Sequence, residues 1–132
     1  MELGYIILYV ADVEAGISFY ERAFGLTRRF VSPPGDYGEL ETGSTTLAMA
    51  AASLAASNLA DAGGYGELDP TAPPPGVSIT LVTDDVAGAM NRAIDAGATP
   101  YVDVHEMPWG QTVAYVRDAD GVLVELATPM TG

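Results

Sequence analysis

One pattern occurs twice in this chain. Gly4-Tyr5-Ile6-Ile7-Leu8-Tyr9-Val10-Ala11-Asp12-Val13 is answered by Val77-Ser78-Ile79-Thr80-Leu81-Val82-Thr83-Asp84-Asp85-Val86, and each copy leads into a stretch of helical periodicity. The repeat limits the fold sharply, because a lone strand-then-helix unit cannot bury its own apolar face and needs a similar partner. Paired half-domains of this kind leave a cleft, and clefts are where ligands sit. A length of 132 residues suits one domain of two modules and is too short for two independent domains.

Residues 5–10 are β-branched and aromatic and read as a buried strand, after which Asp12 is placed to cap a helix over 13–24. Val13, Ile17, Tyr20, Ala23 and Phe24 recur at helical spacing, and Gly25 follows as terminator. Strands are predicted over 26–31, 37–41 and 45–50, separated by turns at 32–36 and 42–44. The stretch 51–75 reads as a linker whose alanine-rich start suits a short helix and whose prolines stop it. The second half repeats the order: a strand at 77–83, a cap at Asp84 or Asp85, a helix over 86–96 ended by Gly97, and strands near 101–104, 111–117 and 122–127. Asp118-Ala119-Asp120-Gly121 supplies the last hairpin turn. The expected architecture is α+β: two tandem βαβββ modules, about 1–50 and 76–130, forming a curved mixed sheet around a cleft within a single domain 1–132. Superposing the halves sets Tyr5 against Ser78 and Ala48 against Glu125.

The formal charge is −13, from eighteen carboxylates against five arginines and no lysine. Such a chain has little with which to neutralise a row of phosphates, so nucleic acid is not an expected partner, nor is an anionic membrane. A negative field concentrates cations, which favours a basic ligand, although an acidic surface also serves solubility alone. Without cysteine there is no disulfide, thiolate metal site or thiol nucleophile. No apolar run approaches the roughly 18 to 20 residues of a membrane span, and the first residues read as a strand, so a cytoplasmic protein is expected.

The segments Leu8-Tyr9-Val10-Ala11-Asp12-Val13, Ser18-Phe19-Tyr20, Phe24-Gly25-Leu26, Pro108-Trp109-Gly110-Gln111 and Asp118-Ala119-Asp120-Gly121-Val122-Leu123-Val124-Glu125-Leu126, taken in order, resemble the vicinal oxygen chelate superfamily of glyoxalase I, extradiol dioxygenases and bleomycin-resistance proteins. In the metalloenzymes of that family, His or Glu from the first and last strand of each half binds a divalent metal inside the curved sheet. The resemblance places those positions at Tyr5, Ala48, Ser78 and Glu125. Glu125 alone is a competent ligand, whereas a catalytic metal site needs about three from the protein. The resemblance therefore implies a cofactor-free small-molecule binder, similar to the proteins that sequester an antibiotic, assembled as a homodimer. Two enzyme readings stay open: a metal-dependent glyoxalase-like lyase, isomerase or dioxygenase with an altered ligand set at Glu125, and a cofactor-free enzyme with Glu125 as base.

The candidate ligand-binding residues are Tyr5, Phe30, Tyr37, Ser78, Tyr101, His105, Trp109 and Glu125. Glu125 reads either as a carboxylate offered to a cationic ligand or as one held by hydroxyls such as those of Tyr5 or Ser78. His105, the only histidine, is a base or ligand beside Glu106, or else a plain residue of a polar strand edge. Trp109, the only tryptophan, either stacks on a ligand or anchors its hairpin. Phe19, Tyr20 and Phe24 belong to the helix stripe and are expected in the core. Glu39 and Glu41 share one face of a strand, where like charges are expected to be solvated. Gly63-Gly64-Tyr65-Gly66 lacks the strand, helix and lysine of a phosphate loop.

Overall fold

The structure, a computed structural model, describes residues 1–130, so the last two positions of the expected domain lie outside the described residues. The chain forms β1 (Tyr5–Val10), α1 (Val13–Phe24), β2 (Thr27–Val31), β3 (Tyr37–Glu41), β4 (Thr46–Ala51), α2 (Ala52–Leu59), a single 3-10 turn (Ala60–Ala62), β5 (Ser78–Val82), α3 (Val86–Asp95), β6 (Thr99–Glu106), β7 (Thr112–Arg117) and β8 (Leu123–Ala127). This is the α+β order expected from the repeat. Two compact units result, one of Met1–Glu21 and Gly25–Leu68, the other of Arg22–Phe24 and the residues from Asp69 onward. No described helix is long and apolar enough to cross a membrane.

Each unit holds a four-stranded mixed sheet, ordered β1-β4-β3-β2 in the first and β5-β8-β7-β6 in the second. In both, the first strand pairs parallel to the last and the remaining pairs are antiparallel. The parallel register sets Ile7 beside Ala48 and Thr80 beside Glu125, which preserves the equivalence of Ala48 with Glu125 that the sequence halves suggest.

Local chemistry accounts for the helices. The Asp12 carboxylate accepts from the Ala15 amide at 3.0 Å, and Gly25, at φ 68°, closes α1 with its amide on the Glu21 carbonyl. For α3 the cap is Asp85 rather than Asp84, accepting from the Gly88 amide at 2.9 Å. In the first unit α1 lies close on its sheet, with Gly16 facing Met49 and Ile17 facing Gly38. Ile17, Tyr20, Leu40, Met49 and Val10 are fully buried there. In the second unit Val86, Met90 and Ala93 of α3 cover β6, β7 and β8, over a core that includes Val116, Val124 and Leu126. Period-two alternation then turns Ser78, Thr80, Tyr115, Leu123 and Glu125 toward the opposite face of that sheet, where they are exposed or half-buried.

The sequence places β6 near 101–104, but it runs from Thr99 to Glu106 and takes in His105. The strand accommodates Pro100 and two register shifts against β7, which suits an edge position. The linker is largely ordered: α2 buries Ala55, and Tyr65 packs edge-on against Tyr9 with ring centroids 5.4 Å apart.

Candidate functional site

The helix-free face of the second sheet gathers the most distinctive chemistry. Glu125 is half-buried, and both of its oxygens are engaged: the Thr80 hydroxyl donates to Oε1 at 2.8 Å and the Tyr115 hydroxyl donates to Oε2 at 2.7 Å. Both donors follow from register, since Thr80 and Tyr115 lie directly beside Glu125 on its two neighbouring strands. The Tyr115 phenol is raised above its ordinary pKa, first by its bond to Glu125 and then by burial, as befits a neutral donor to a carboxylate. These hydroxyls replace the Tyr5 and Ser78 expected from the sequence. Ser78 does not donate to Glu125, because the third residue of β5, and not the first, falls opposite that carboxylate.

A carboxylate offers about four acceptor positions, so two hydroxyl donors leave Glu125 able to accept more. No described arginine pairs with it. Beside it, Pro75, Gly76, Val77, Ser78, Tyr101, Val102, Tyr115 and Leu123 line a depression of about 380 Å³. Tyr115 joins the two features, for its side chain lines the depression and its hydroxyl meets Glu125.

The remaining expected residues fall elsewhere. Phe30 and Tyr37 form a tilted ring pair in the first unit, with centroids 6.0 Å apart. Tyr5 lies close enough to act on the Tyr37 phenol, which burial and the neighbouring Glu39 carboxylate push up to about 12. Tyr37 donates to Glu39 at 2.7 Å. Trp109, 58% exposed, borders a second depression of about 310 Å³ with Asp84, Gln111 and Met130, and its indole N–H donates to Gln111 at 3.0 Å. His105 is exposed, with Nδ1 2.9 Å from the Asp103 carbonyl, and lines neither depression. Within the second unit, Ser78 and Tyr101 thus line one depression with Tyr115, whose hydroxyl meets Glu125, while Trp109 borders the other and His105 lines neither.

Glu39 and Glu41 correct an expectation. They are not simply solvated: Arg29 bridges them, with Nη1 2.8 Å from Glu39 and Nε 2.7 Å from Glu41, and Glu39 is only 8% exposed. Arg29 also donates to Thr46 at 3.0 Å. Arg29 holds the Glu41 carboxyl below its ordinary range, chiefly through the hydrogen bond from its Nε to that carboxylate.

Of the positions that the resemblance gives to metal ligands, Ala48 is fully buried and offers no donor. Among the described residues, no three of His, Cys, Asp or Glu stand together in a group able to hold a metal ion.

Comparison with known proteins agrees with this architecture. The chain belongs to the Glyoxalase/Bleomycin resistance protein/Dioxygenase superfamily, whose family model matches residues 2–126. Its fold is shared with a glyoxalase-related enzyme from Fulvimarina pelagi, at 23% identity and a TM-score of 0.78, over 98% of this chain and 88% of the other. TioX from Micromonospora sp. ML1 superposes with a TM-score of 0.70 at 19% identity, over 97% and 98%. Lactoylglutathione lyase from Agrobacterium tumefaciens does so with a TM-score of 0.70 at 20% identity, over 96% and 92%. No curated protein matches the chain by sequence.

Proposed function

We propose that this protein binds small, partly aromatic cations without transforming them, Glu125 supplying the counter-charge and the depression beside Tyr115 the apolar wall. The observation that carries this reading is a half-buried carboxylate, oriented by two hydroxyls, unpaired with any described arginine and adjoining a depression walled by Tyr101, Tyr115, Val77 and Leu123. Sequestration needs a shaped wall and complementary charge but no reacting group. Aromatic side chains stabilise a bound cation by about 0.5–2 kcal/mol each, and the net charge of −13 raises the local cation concentration. Membership of a superfamily that includes bleomycin-resistance proteins is consistent with this role. The same superfamily contains dioxygenases, and the Agrobacterium neighbour is a lyase, but Ala48 argues against a shared metal chemistry.

Thioflavin T, a cationic aromatic dye that brightens when immobilised, and its uncharged benzothiazole analogue test the proposal by titration. The dye should bind the wild type, and Glu125→Gln should weaken it roughly tenfold, about 1.4 kcal/mol, while leaving the neutral analogue unaffected. Equal loss for both compounds would remove Glu125 as counter-charge. Thermal stabilisation of metal-stripped protein by Ni²⁺, Mn²⁺ or Zn²⁺, lost in Glu125→Ala, would replace this reading with a metalloenzyme.

A further inference from the structure

Arg117 ends β7 two residues beyond Tyr115 and is only 7% exposed. A charge so buried is costly unless its hydrogen bonds are met. Here they are met by main-chain carbonyls: Nε and Nη2 donate to Gly121 at 3.0 and 2.8 Å, Nη1 to Pro70 and Ala72 at 3.2 and 2.6 Å, and Nη2 to Asp69 at 3.3 Å. All five guanidinium N–H groups are thereby accounted for. Three of the four carbonyls belong to one strap, residues 69–72, whose own turn is held by Asp69 accepting from the Thr71 amide and hydroxyl at 2.9 and 2.7 Å.

The segment after the strap gives this clamp its meaning. Pro73, Pro74 and Pro75 each fix their own φ and restrict the preceding residue to extended backbone, so the chain from Ala72 to Pro75 is stiff. The Val77 amide then donates back to the Pro75 carbonyl at 2.8 Å, closing a three-residue turn. Pro75, Gly76 and Val77 are one wall of the depression, and Tyr115 is part of another. The strand that carries Tyr115 therefore also holds, through Arg117, the strap that leads into the lining segment 75–77.

We infer that Arg117 is a positioning residue of the ligand site: its guanidinium fixes the strap 69–72, and the triproline transmits that position to the wall at 75–77. The inference rests on the binding function proposed above. Its effect is preorganisation, since a wall already in place spares a ligand the cost of ordering it. Lysine keeps the charge but presents a compact ammonium that cannot span four carbonyls as a planar fork does.

The test uses thioflavin T titration together with amide hydrogen exchange on the full chain. In Arg117→Lys, exchange should accelerate at Thr71, Ala72 and Val77 while β7 and β8 stay protected, and dye affinity should fall roughly tenfold. The ratio by which Glu125→Gln weakens the dye should be unchanged in the Arg117→Lys background, which a general loss of structure would not preserve. Pro73→Gly/Pro74→Gly, which leaves every Arg117 contact in place, should reproduce the affinity loss and keeps the inference testable if Arg117→Lys fails to fold. Unchanged strap exchange in Arg117→Lys, a mobile strap with undiminished dye affinity in that variant, or undiminished dye affinity in Pro73→Gly/Pro74→Gly overturns the inference alone. A wild type that does not bind the dye overturns the site reading and the inference with it.

Discussion

Gly110 and Gly121 offer a matched pair for measuring how tightly the strap is packed. Both have φ 96°, a conformation that L side chains rarely adopt, but their surroundings differ. A Cβ at Gly110 meets nothing within 4 Å, whereas one at Gly121 falls 2.8 Å from Pro70 Cα, 2.9 Å from Pro70 N and 2.8 Å from Arg117 Nη2. Gly110→Ala therefore carries the backbone strain alone, about 1–2 kcal/mol. Gly121→Ala carries the same strain and must also push the strap away. The obstacle is main chain, which does not swing aside as a side-chain tip does, so overpacking adds about 1–3 kcal/mol. Weakening the bonds from Arg117 to Pro70 and Asp69 adds to that, bonds from charged donors being worth about 1.5–3 kcal/mol when wholly lost. The expected difference between the variants is about 2–3 kcal/mol. At a urea slope of about 1–3 kcal/mol per molar, this is roughly a 1 M gap between midpoints. Urea unfolding of both variants followed by circular dichroism measures it. Midpoints that coincide would refute the reasoning, showing that the strap yields freely at Pro70.

Two further outcomes concern pH. The Tyr37 phenol has its pKa raised to about 12, so the stability it contributes is present below pH ~10 and is lost as the pH rises from there through 12. Difference absorbance should show a late-ionising tyrosine that Tyr37→Phe removes, and an unchanged titration in that variant would disprove the assignment. Glu41 and Asp69 are both lowered, Glu41 chiefly by the Arg29 hydrogen bond and Asp69 chiefly by the Thr71 hydroxyl. Their contribution is present above about pH 4 and fades as the pH falls through the depressed values. Glu41→Gln and Thr71→Val should each flatten the acid limb of stability against pH, and a limb of unaltered slope would exclude these pairs as its source.

How much of this was legible in the sequence depends on whether a feature is local or set by register. Asp12, Asp85 and Gly25 act within a turn of their own positions, so both helices were readable from residue type and spacing. Helix α1 also keeps its predicted core side at Phe19 and Tyr20, which are buried, whereas Phe24, at the end of the helix, is only half-buried. The surroundings of Glu125 were not readable. Ser78 and Thr80 share one face of β5, and only the parallel pairing with β8 decides that Thr80 is the one beside the carboxylate. The Arg29 bridge was hidden for a related reason: β2 shifts register between Arg28 and Phe30 against β3, and no pattern in the chain announces that bulge. Arg117 gave no signal, since its acceptors are main-chain carbonyls supplied in part by a segment more than forty residues earlier. Period-two patterning marks which residues share a face, but not which strand becomes their neighbour.

The two pairing registers expose a difference between the halves. Glu39 lies opposite Ala48 just as Tyr115 lies opposite Glu125, so each half retains one inner carboxylate but carries it on a different strand. The two halves therefore depart from their repeat in two ways at once. In one half the acid is neutralised at home by Arg29, while in the other it is merely steadied by uncharged hydroxyls. The two halves of the repeat are thus electrically unlike: the acid of one is paired with an arginine, and that of the other is the one left for the cation in the proposed binding role.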